Sequence, residues 1–138
     1  TDYFHTSNLV YKFECDCSKT YIGHTKQLFE WRIYGHKNDN NSHINKHITN
    51  CQFFKQNFFE NYGTEFGAAV PNGNANREYM KSHFSILQRN LHNYHLRTTH
   101  EGLLITLHNP DLNKQVFHKS MSFVCECGNY KTENAVGT

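Results

Sequence analysis

Residues 9–36 have the sequence Leu-Val-Tyr-Lys-Phe-Glu-Cys-Asp-Cys-Ser-Lys-Thr-Tyr-Ile-Gly-His-Thr-Lys-Gln-Leu-Phe-Glu-Trp-Arg-Ile-Tyr-Gly-His. The stretch opens with an apolar and aromatic run, passes through a polar segment with two cysteines, and returns to a second short run at 19–23. Two such runs joined by a short polar segment predict an antiparallel hairpin. Phe29 and Ile33 then follow at a spacing of four, which predicts a helix over 25–37 with a narrow apolar face. We therefore expect a hairpin that leads into a helix.

Shorter signals predict the rest of the secondary structure. Thr25 and Ser42 are suitable N-caps for helices over 25–37 and 43–50. A further helix is expected over 96–108, ended by the proline that follows, since the residue before a proline disfavours helical geometry. The predicted strands lie near 8–14, 19–23 and 84–88. The expected fold class is α/β, with a small three-stranded, mostly antiparallel sheet flanked by helices.

The composition is that of an ordinary folded protein. The chain has 138 residues, of which 37% are apolar and 19% charged, and this fits one compact domain. The formal net charge is +2, so charge alone is weak support for a nucleic-acid partner. The sequence predicts neither a membrane span nor a signal peptide, and we expect an intracellular protein. Because residue 1 is Thr and strand-like sequence follows soon after, we also expect a domain cut from a longer polypeptide.

The cysteines predict a metal site. Four of the five form two Cys-x-Cys pairs, Cys15 with Cys17 and Cys125 with Cys127. Closely spaced thiols in an intracellular protein are more often metal ligands than disulfides. The preferred tetrahedral zinc site combines the first pair with His47 and Cys51, because these elements are close in sequence and Cys51 is otherwise unpaired. The competing site joins both Cys-x-Cys pairs, and His43 is a substitute ligand.

Glu101 is a candidate ligand for a second kind of metal. It lies in the predicted helix over 96–108, beside the apolar residues Leu104 and Ile105. A carboxylate next to a core-facing stripe is costly unless a cation compensates its charge. Mg²⁺ and Mn²⁺ suit this role, since both take oxygen ligands. The alternative is an i, i+4 ion pair between Arg97 and Glu101 on a solvated helix face.

Taken in chain order, the motifs resemble those of the GIY-YIG endonuclease family. Val10-Tyr11 stands where the family has Ile-Tyr, Tyr21-Ile22-Gly23 matches the second half of the family name, and Leu9 replaces the first glycine. The segment Asn109-Pro110-Asp111-Leu112-Asn113 resembles the family's Pro-x-x-Asn-like turn. The six positions that match the family's catalytic residues are Tyr11, Tyr21, Arg32, His36, Glu101 and Asn113.

This resemblance implies a metal-dependent DNA endonuclease that hydrolyses, and so nicks, phosphodiester bonds. Hydrolysis needs an activated water, neutralisation of charge on the phosphate, and help for the departing oxygen. By resemblance, Glu101 binds the catalytic Mg²⁺ or Mn²⁺ and Arg32 clamps the phosphate. Tyr11 is the general base or orients the water, while Tyr21 and His36 complete the proton relay.

The cysteines ahead of Tyr-Ile-Gly are similar to those of the Penelope-like retroelement branch of the family, whose endonucleases carry a Cys-Cys-His-His zinc motif. Cys51 would stand for the last histidine of that motif. The resemblance implies DNA as a partner, target-site nicking for a covalently attached reverse transcriptase, and a nuclear location. Residues 1–138 would form a single GIY-YIG-like domain in which 52–82 are an insertion. Within it, the aromatic segment 52–66 has no clean period, and 67–76 are expected to form a loop.

A second function stays open at this point: a zinc-stapled nucleic-acid-binding or interaction module that does not cleave. The six filled positions favour the nuclease. A redox role for the Cys-x-Cys pairs accounts for neither Arg32 nor Glu101.

Overall fold

The computed structural model describes residues 3–68 and 74–113. Its sheet consists of β1 (Leu9–Glu14), β2 (Thr20–Thr25) and β3 (Phe84–Gln88), in the order β2-β1-β3. Both pairings are antiparallel, and Tyr11 lies opposite Gly23 in the β1–β2 register. The α/β class and the three predicted strands are confirmed, and the sheet is antiparallel throughout.

Five α-helices flank the sheet in the described part of the chain. They are α1 (Phe29–Asn38), α2 (His43–Asn50), α3 (Gln52–Tyr62), α4 (Ala75–Lys81) and α5 (Tyr94–His108), and a short 3-10 helix, Tyr3–His5, precedes β1. The helices expected over 43–50 and 96–108 are confirmed, whereas α3 and α4 occupy the region where no helix was predicted. The loop expected over 67–76 is shortened by α4, and its residues 69–73 lie outside the described ranges. None of the described helices is both long and apolar enough to cross a membrane.

The two faces of the sheet bury different clusters. Tyr11 belongs to the larger cluster, to which α1, α2, α3 and α4 all contribute. Val10 and Ile22 belong to the second, against which Leu104 and Ile105 of α5 pack, as the predicted stripe requires. Since successive side chains of a strand point to opposite faces, α5 covers the face opposite α1. Glu101, which lies in α5, is therefore on the second face of the sheet.

The start of α1 corrects one prediction. Thr25 ends β2, and its Oγ accepts a hydrogen bond from Gln27 N at 3.0 Å, so it shapes a turn and does not cap the helix. Leu28 occupies the N-cap position without a side-chain hydrogen bond. Phe29 N instead donates to the carbonyl of Thr6 at 2.8 Å. An N–H group at the helix start is thus satisfied from outside the helix.

Helices α2 and α3 meet at a corner that matters for the site. Ser42 caps α2 as predicted, since its Oγ accepts a hydrogen bond from Asn45 N at 3.4 Å. Cys51 is both the C-cap of α2 and the N-cap of α3. In α3, the side chains of Phe54 and Phe58 are fully buried. Their burial fixes the corner, and with it the Cys51 thiol, against the core.

Candidate active site and metal centre

Three of the predicted catalytic side chains meet at the Tyr11 hydroxyl. His36 Nε2 lies 2.6 Å from the Tyr11 oxygen, and Arg32 Nε donates to the same oxygen at 3.2 Å. Arg32 and His36 are four residues apart on α1, so both reach the tyrosine from one helix. Tyr11 is fully buried and His36 nearly so. The three side chains form a hydrogen-bonded group at the boundary between the sheet and α1.

Burial sets the resting protonation of this group. It raises the pKa of Tyr11 well above its ordinary value, an effect that Arg32 opposes. It also lowers the pKa of His36 to about 3, and the charge of Arg32 adds to that shift. At neutral pH the pair is therefore a neutral phenol beside a neutral imidazole.

Tyr21 and Gly23 complete this face of the site. The ring centroid of Tyr21 lies 5.6 Å from that of His36. A Cβ added to Gly23 would lie 2.5 Å from the Tyr11 oxygen and 3.0 Å from Tyr21 Cε2. The glycine of Tyr-Ile-Gly is therefore required by the close approach of two tyrosines. Burial raises the pKa of Tyr21 as well, against the field of Arg32.

Glu101 reaches the site from α5. Its Oε1 lies 3.8 Å from His24 Nε2. Partial burial raises the pKa of Glu101 to about 7, although Arg32 opposes the shift. Glu101 also interacts electrostatically with Tyr11 and Tyr21. Glu101 therefore lies within electrostatic range of both tyrosines and of Arg32, while its direct contact is with His24.

Arg97 and Glu101, both in the described part of the chain, do not form an ion pair. Arg97 is buried, and its Nη1 donates to Asn8 Oδ1 and to the carbonyl of Leu91, each at 3.1 Å. The alternative of an Arg97–Glu101 pair on a solvated face is therefore not found. Arg97 instead ties the start of α5 to the segments that precede β1 and follow β3, which are themselves joined by the hydrogen bond from Leu91 N to the carbonyl of Asn8.

Asn113 binds the backbone of β2. Its Oδ1 accepts from Ile22 N at 2.6 Å, and its Nδ2 donates to the carbonyl of Ile22 at 2.8 Å. Both polar atoms of the side-chain amide are thus used on the backbone N–H and C=O of Ile22, the residue between Tyr21 and Gly23. The geometry therefore gives Asn113 a positioning role for the strand that carries the second tyrosine.

The preferred metal ligands lie together. The ligand atoms of Cys15, Cys17, His47 and Cys51 all lie within 4.8 Å of one another and can hold a metal ion. Cys15 Sγ lies 3.7 Å from Cys51 Sγ, and Cys17 Sγ lies 3.3 Å from His47 Nε2. A Zn–S bond of about 2.3 Å gives a tetrahedral S···S edge of about 3.8 Å, so the cluster is compatible with structural zinc. His43 is not in the cluster, and Cys125 and Cys127 lie outside the described residues.

The cysteine loop is held by groups from elsewhere in the fold. Asp16, between the two thiols, accepts from Tyr79 Oη at 2.7 Å, and His83 Nε2 lies 3.1 Å from the same carboxylate oxygen. Burial raises the pKa of the Cys15 thiol, so its thiolate form needs a nearby cation. These contacts attach the cysteine loop to α4 and to the residue that precedes β3.

Two residues of the site were missed by sequence reasoning. His24 directly follows Tyr-Ile-Gly, and alternation along β2 places it on the face covered by α5, a signal that was available. Asp16 carried no signal, because Tyr79 and His83 are distant in sequence. Comparisons with family models, with curated proteins and with solved structures found no match to this chain.

Proposed function

We propose that this chain is a metal-dependent DNA endonuclease of the GIY-YIG type, which nicks DNA by hydrolysing a phosphodiester bond. The observation that carries the proposal is the contact of Tyr11 with both His36 and Arg32. Buried polar groups are costly unless they are paired. Placing both an arginine and a histidine at one buried hydroxyl is therefore more than the packing of this tyrosine requires. Tyr21 and Glu101 join the same electrostatic cluster. A phenol, an imidazole, a guanidinium and a carboxylate together suit phosphodiester hydrolysis.

The proposed proton relay runs through the Tyr11–His36 pair. The neutral Tyr11 oxygen accepts a hydrogen bond from the attacking water, which has to enter the site with the substrate because Tyr11 is fully buried in the free chain. As the water oxygen bonds to phosphorus, the bond from phosphorus to the departing oxygen breaks and that oxygen leaves with the electron pair, to be protonated from solvent. At the same time a water proton passes to the Tyr11 oxygen and the phenolic proton passes to His36 Nε2. The result is a neutral phenol and an imidazolium, so no free phenolate is formed. The high pKa of Tyr11 and the low pKa of His36 favour the resting pair, and the relay therefore operates only in concert with attack on the phosphate.

Arg32 and Tyr21 contribute charge and orientation. The Nε of Arg32 is used on Tyr11, and its terminal nitrogens are the groups available for phosphate oxygens, which a planar guanidinium binds well. Tyr21 presents a second phenol to the same space. Each group stabilises negative charge as it develops on the phosphate.

Glu101 is the proposed ligand of Mg²⁺ or Mn²⁺. Burial raises the pKa of Glu101 because it penalises the charged carboxylate, and the side chain 3.8 Å away is His24. Burial, with the charges of Arg97 and Arg32, lowers the pKa of His24, so this histidine is neutral at neutral pH and does not compensate the carboxylate. A hard dication would compensate that charge. Such a cation, held by Glu101, would neutralise negative charge on the phosphate and on the departing oxygen. In the protein itself, α5 holds the Glu101 carboxyl next to His24 of β2.

The Cys/His cluster is proposed to bind structural zinc. Three thiols and one imidazole are a donor set typical of closed tetrahedral zinc sites. Its place in the proposed enzyme is to hold α2 and α3 against the hairpin. By resemblance to the Penelope-like branch, we further propose that the chain nicks target sites in the nucleus for an attached reverse transcriptase.

A plasmid-nicking assay with Mg²⁺ or Mn²⁺ tests the proposal. Wild type is expected to nick, while Tyr11→Phe and Glu101→Gln are expected to lose activity by at least about a hundredfold. Tyr62→Phe and Glu60→Gln, in α3, are matched controls that should nick like wild type. A folded Glu101→Gln variant that nicks at the wild-type rate would exclude the proposed role of the carboxylate.

The second candidate is a metal-stapled module that binds nucleic acid or a protein without cleaving. Two observations favour it. The four residues of the Cys/His cluster can hold a metal whether or not the chain is catalytic. Phe53 and Phe59 of α3 are 66% and 54% exposed. Exposed aromatic rings can stack on bases. Tight DNA binding by a wild type that never nicks, weakened by Phe53→Ala, would favour this function over the nuclease.

A further inference from the structure

Ser42 makes a contact beyond its cap. Its Oγ lies 2.6 Å from His36 Nδ1, on the side of the ring opposite Tyr11. The backbone that presents this hydroxyl is fixed on both sides, because Ser42 N donates to the carbonyl of Asp39 and its own carbonyl accepts from Lys46 N, each at 2.9 Å. The imidazole is therefore held between a serine and a tyrosine.

The hydrogen bonds favour one tautomer of His36. A neutral imidazole has one N–H donor and one acceptor nitrogen. Arg32 Nε already donates to the Tyr11 oxygen, which leaves the phenolic proton free to be donated to Nε2. The ring proton then belongs on Nδ1, where Ser42 Oγ accepts it. We infer that Ser42 is a positioning residue that fixes His36 as the Nδ1–H tautomer and turns the Nε2 lone pair toward Tyr11.

The consequence for cleavage rests on the proposed function. The relay needs Nε2 as an acceptor, and the other tautomer would present an N–H to Tyr11 and prevent the transfer. The helix that begins after Ser42 also carries His47 and ends at Cys51. Ser42 therefore lies at the start of α2, and the proposed metal ligands His47 and Cys51 lie toward its end. The position of the Ser42 hydroxyl and the metal site thus depend on the same helix.

Nuclear magnetic resonance of a chain labelled with ¹⁵N in histidine tests the inference without any substrate. Spectra that correlate the ring nitrogens with carbon-bound ring protons separate the two tautomers, and the His36 signals are assigned by their loss in His36→Asn. Ser42→Gly removes the hydroxyl while glycine still serves as an N-cap at small cost, and Ser42→Thr keeps the hydroxyl. Ser42→Ala is the second variant should Ser42→Gly not fold. Asn93→Gly is the control, because it removes the N-cap side chain of α5, whose Oδ1 accepts from Leu96 N, and leaves the surroundings of His36 unchanged.

We expect the Nδ1–H tautomer in wild type, in Ser42→Thr and in Asn93→Gly, and a mixture of tautomers in Ser42→Gly and Ser42→Ala. Protonation on Nε2 in wild type, or an unchanged Nδ1–H tautomer in a folded variant without the hydroxyl, overturns the inference. Nicking should fall about tenfold to a hundredfold in Ser42→Gly and recover in Ser42→Thr. If the expected tautomers appear but wild type does not nick, the positioning role stands and the proposed function fails.

Discussion

Gly23 lies directly opposite Tyr11 in the sheet, and the Tyr11 hydroxyl occupies the space that a side chain at position 23 would need. A Cβ there would lie 2.5 Å from the Tyr11 oxygen and 2.7 Å from its Cζ. Tyr11 is fully buried and is bonded to His36, so it cannot yield without breaking that contact. The third residue of Tyr-Ile-Gly thus allows the first strand's tyrosine to reach the site.

Gly23→Ala is therefore expected to displace the Tyr11 ring. Overpacking of a buried site costs about 1–3 kcal/mol, so the free energy of unfolding in urea should fall by that amount. Under the proposed function, nicking should fall as well, because the Tyr11–His36 contact is lost. Gly35→Ala in α1 is the control, since nothing lies within 4 Å of its added Cβ. That variant should be as stable as wild type or up to about 1 kcal/mol more stable. Equal stability of Gly23→Ala and wild type would contradict the close packing.

The sequence was most informative where local chemistry and tertiary structure agree. Ser42 caps α2 as predicted, and the spacing of Phe29 and Ile33 correctly predicted the buried face of α1. The cysteine loop and the second helix also predicted the four candidate metal ligands that the structure brings together. In each case the signal came from a short local motif: a cap, an i, i+4 apolar pair, or a Cys-x-Cys pair and a His-x-x-x-Cys pair.

Tertiary contacts decided what the sequence could not. Thr25 had the chemistry of a cap, but Thr6 satisfies the start of α1 instead. The period of α3 was hidden because Phe53 and Phe59 are exposed while Phe54 and Phe58 are buried. Aromatic residues on both faces of a helix leave no amphipathic pattern to detect.

His36 is expected to make stability depend on pH. Its pKa falls from about 6.5 to about 3 on folding, mainly through burial. Between these values the unfolded chain binds a proton that the folded chain does not, so stability decreases as pH falls, by up to about 1.4 kcal/mol per pH unit. The stability of wild type minus that of His36→Asn should therefore rise with pH from about 3 to 6.5, as measured by urea unfolding.

Glu101 should contribute the opposite slope. Its pKa rises from 4.5 to about 7 on folding, again mainly through burial. Between these values the folded carboxyl keeps a proton that the unfolded one loses, so stability decreases as pH rises. The stability of wild type minus that of Glu101→Gln should fall across this range when no Mg²⁺ or Mn²⁺ is added. Parallel stability curves for wild type and either variant would contradict the corresponding pKa.

Cation binding should depend on the same carboxyl. Mg²⁺ or Mn²⁺ competes with the proton on Glu101, so added cation should raise the melting temperature of wild type more at pH 8 than at pH 6. Glu101→Gln is expected to show no such increase at either pH. Glu60→Gln, an exposed glutamate in α3, is the matched control and should respond like wild type. A response of Glu101→Gln equal to that of wild type would place the cation elsewhere.

Helix α2 offers a matched pair of histidines for testing the metal cluster. His47 belongs to the cluster and His43, one turn earlier, does not. We expect one zinc per wild-type chain by elemental analysis, retained in His43→Ala and lost or strongly reduced in His47→Ala and Cys51→Ser. Loss of zinc should also lower the melting temperature, because a structural metal contributes its binding energy to folding.

The competing four-thiolate site is tested by replacing the second Cys-x-Cys pair. A variant with Cys125→Ser and Cys127→Ser should keep its zinc and its melting temperature, because the donors of Cys15, Cys17, His47 and Cys51 already complete a tetrahedral set. Loss of zinc from that variant, together with its retention in His47→Ala, would assign the metal to the four thiols. In that case α2 would lack its metal support, and the link between the zinc and Ser42 would fail with it.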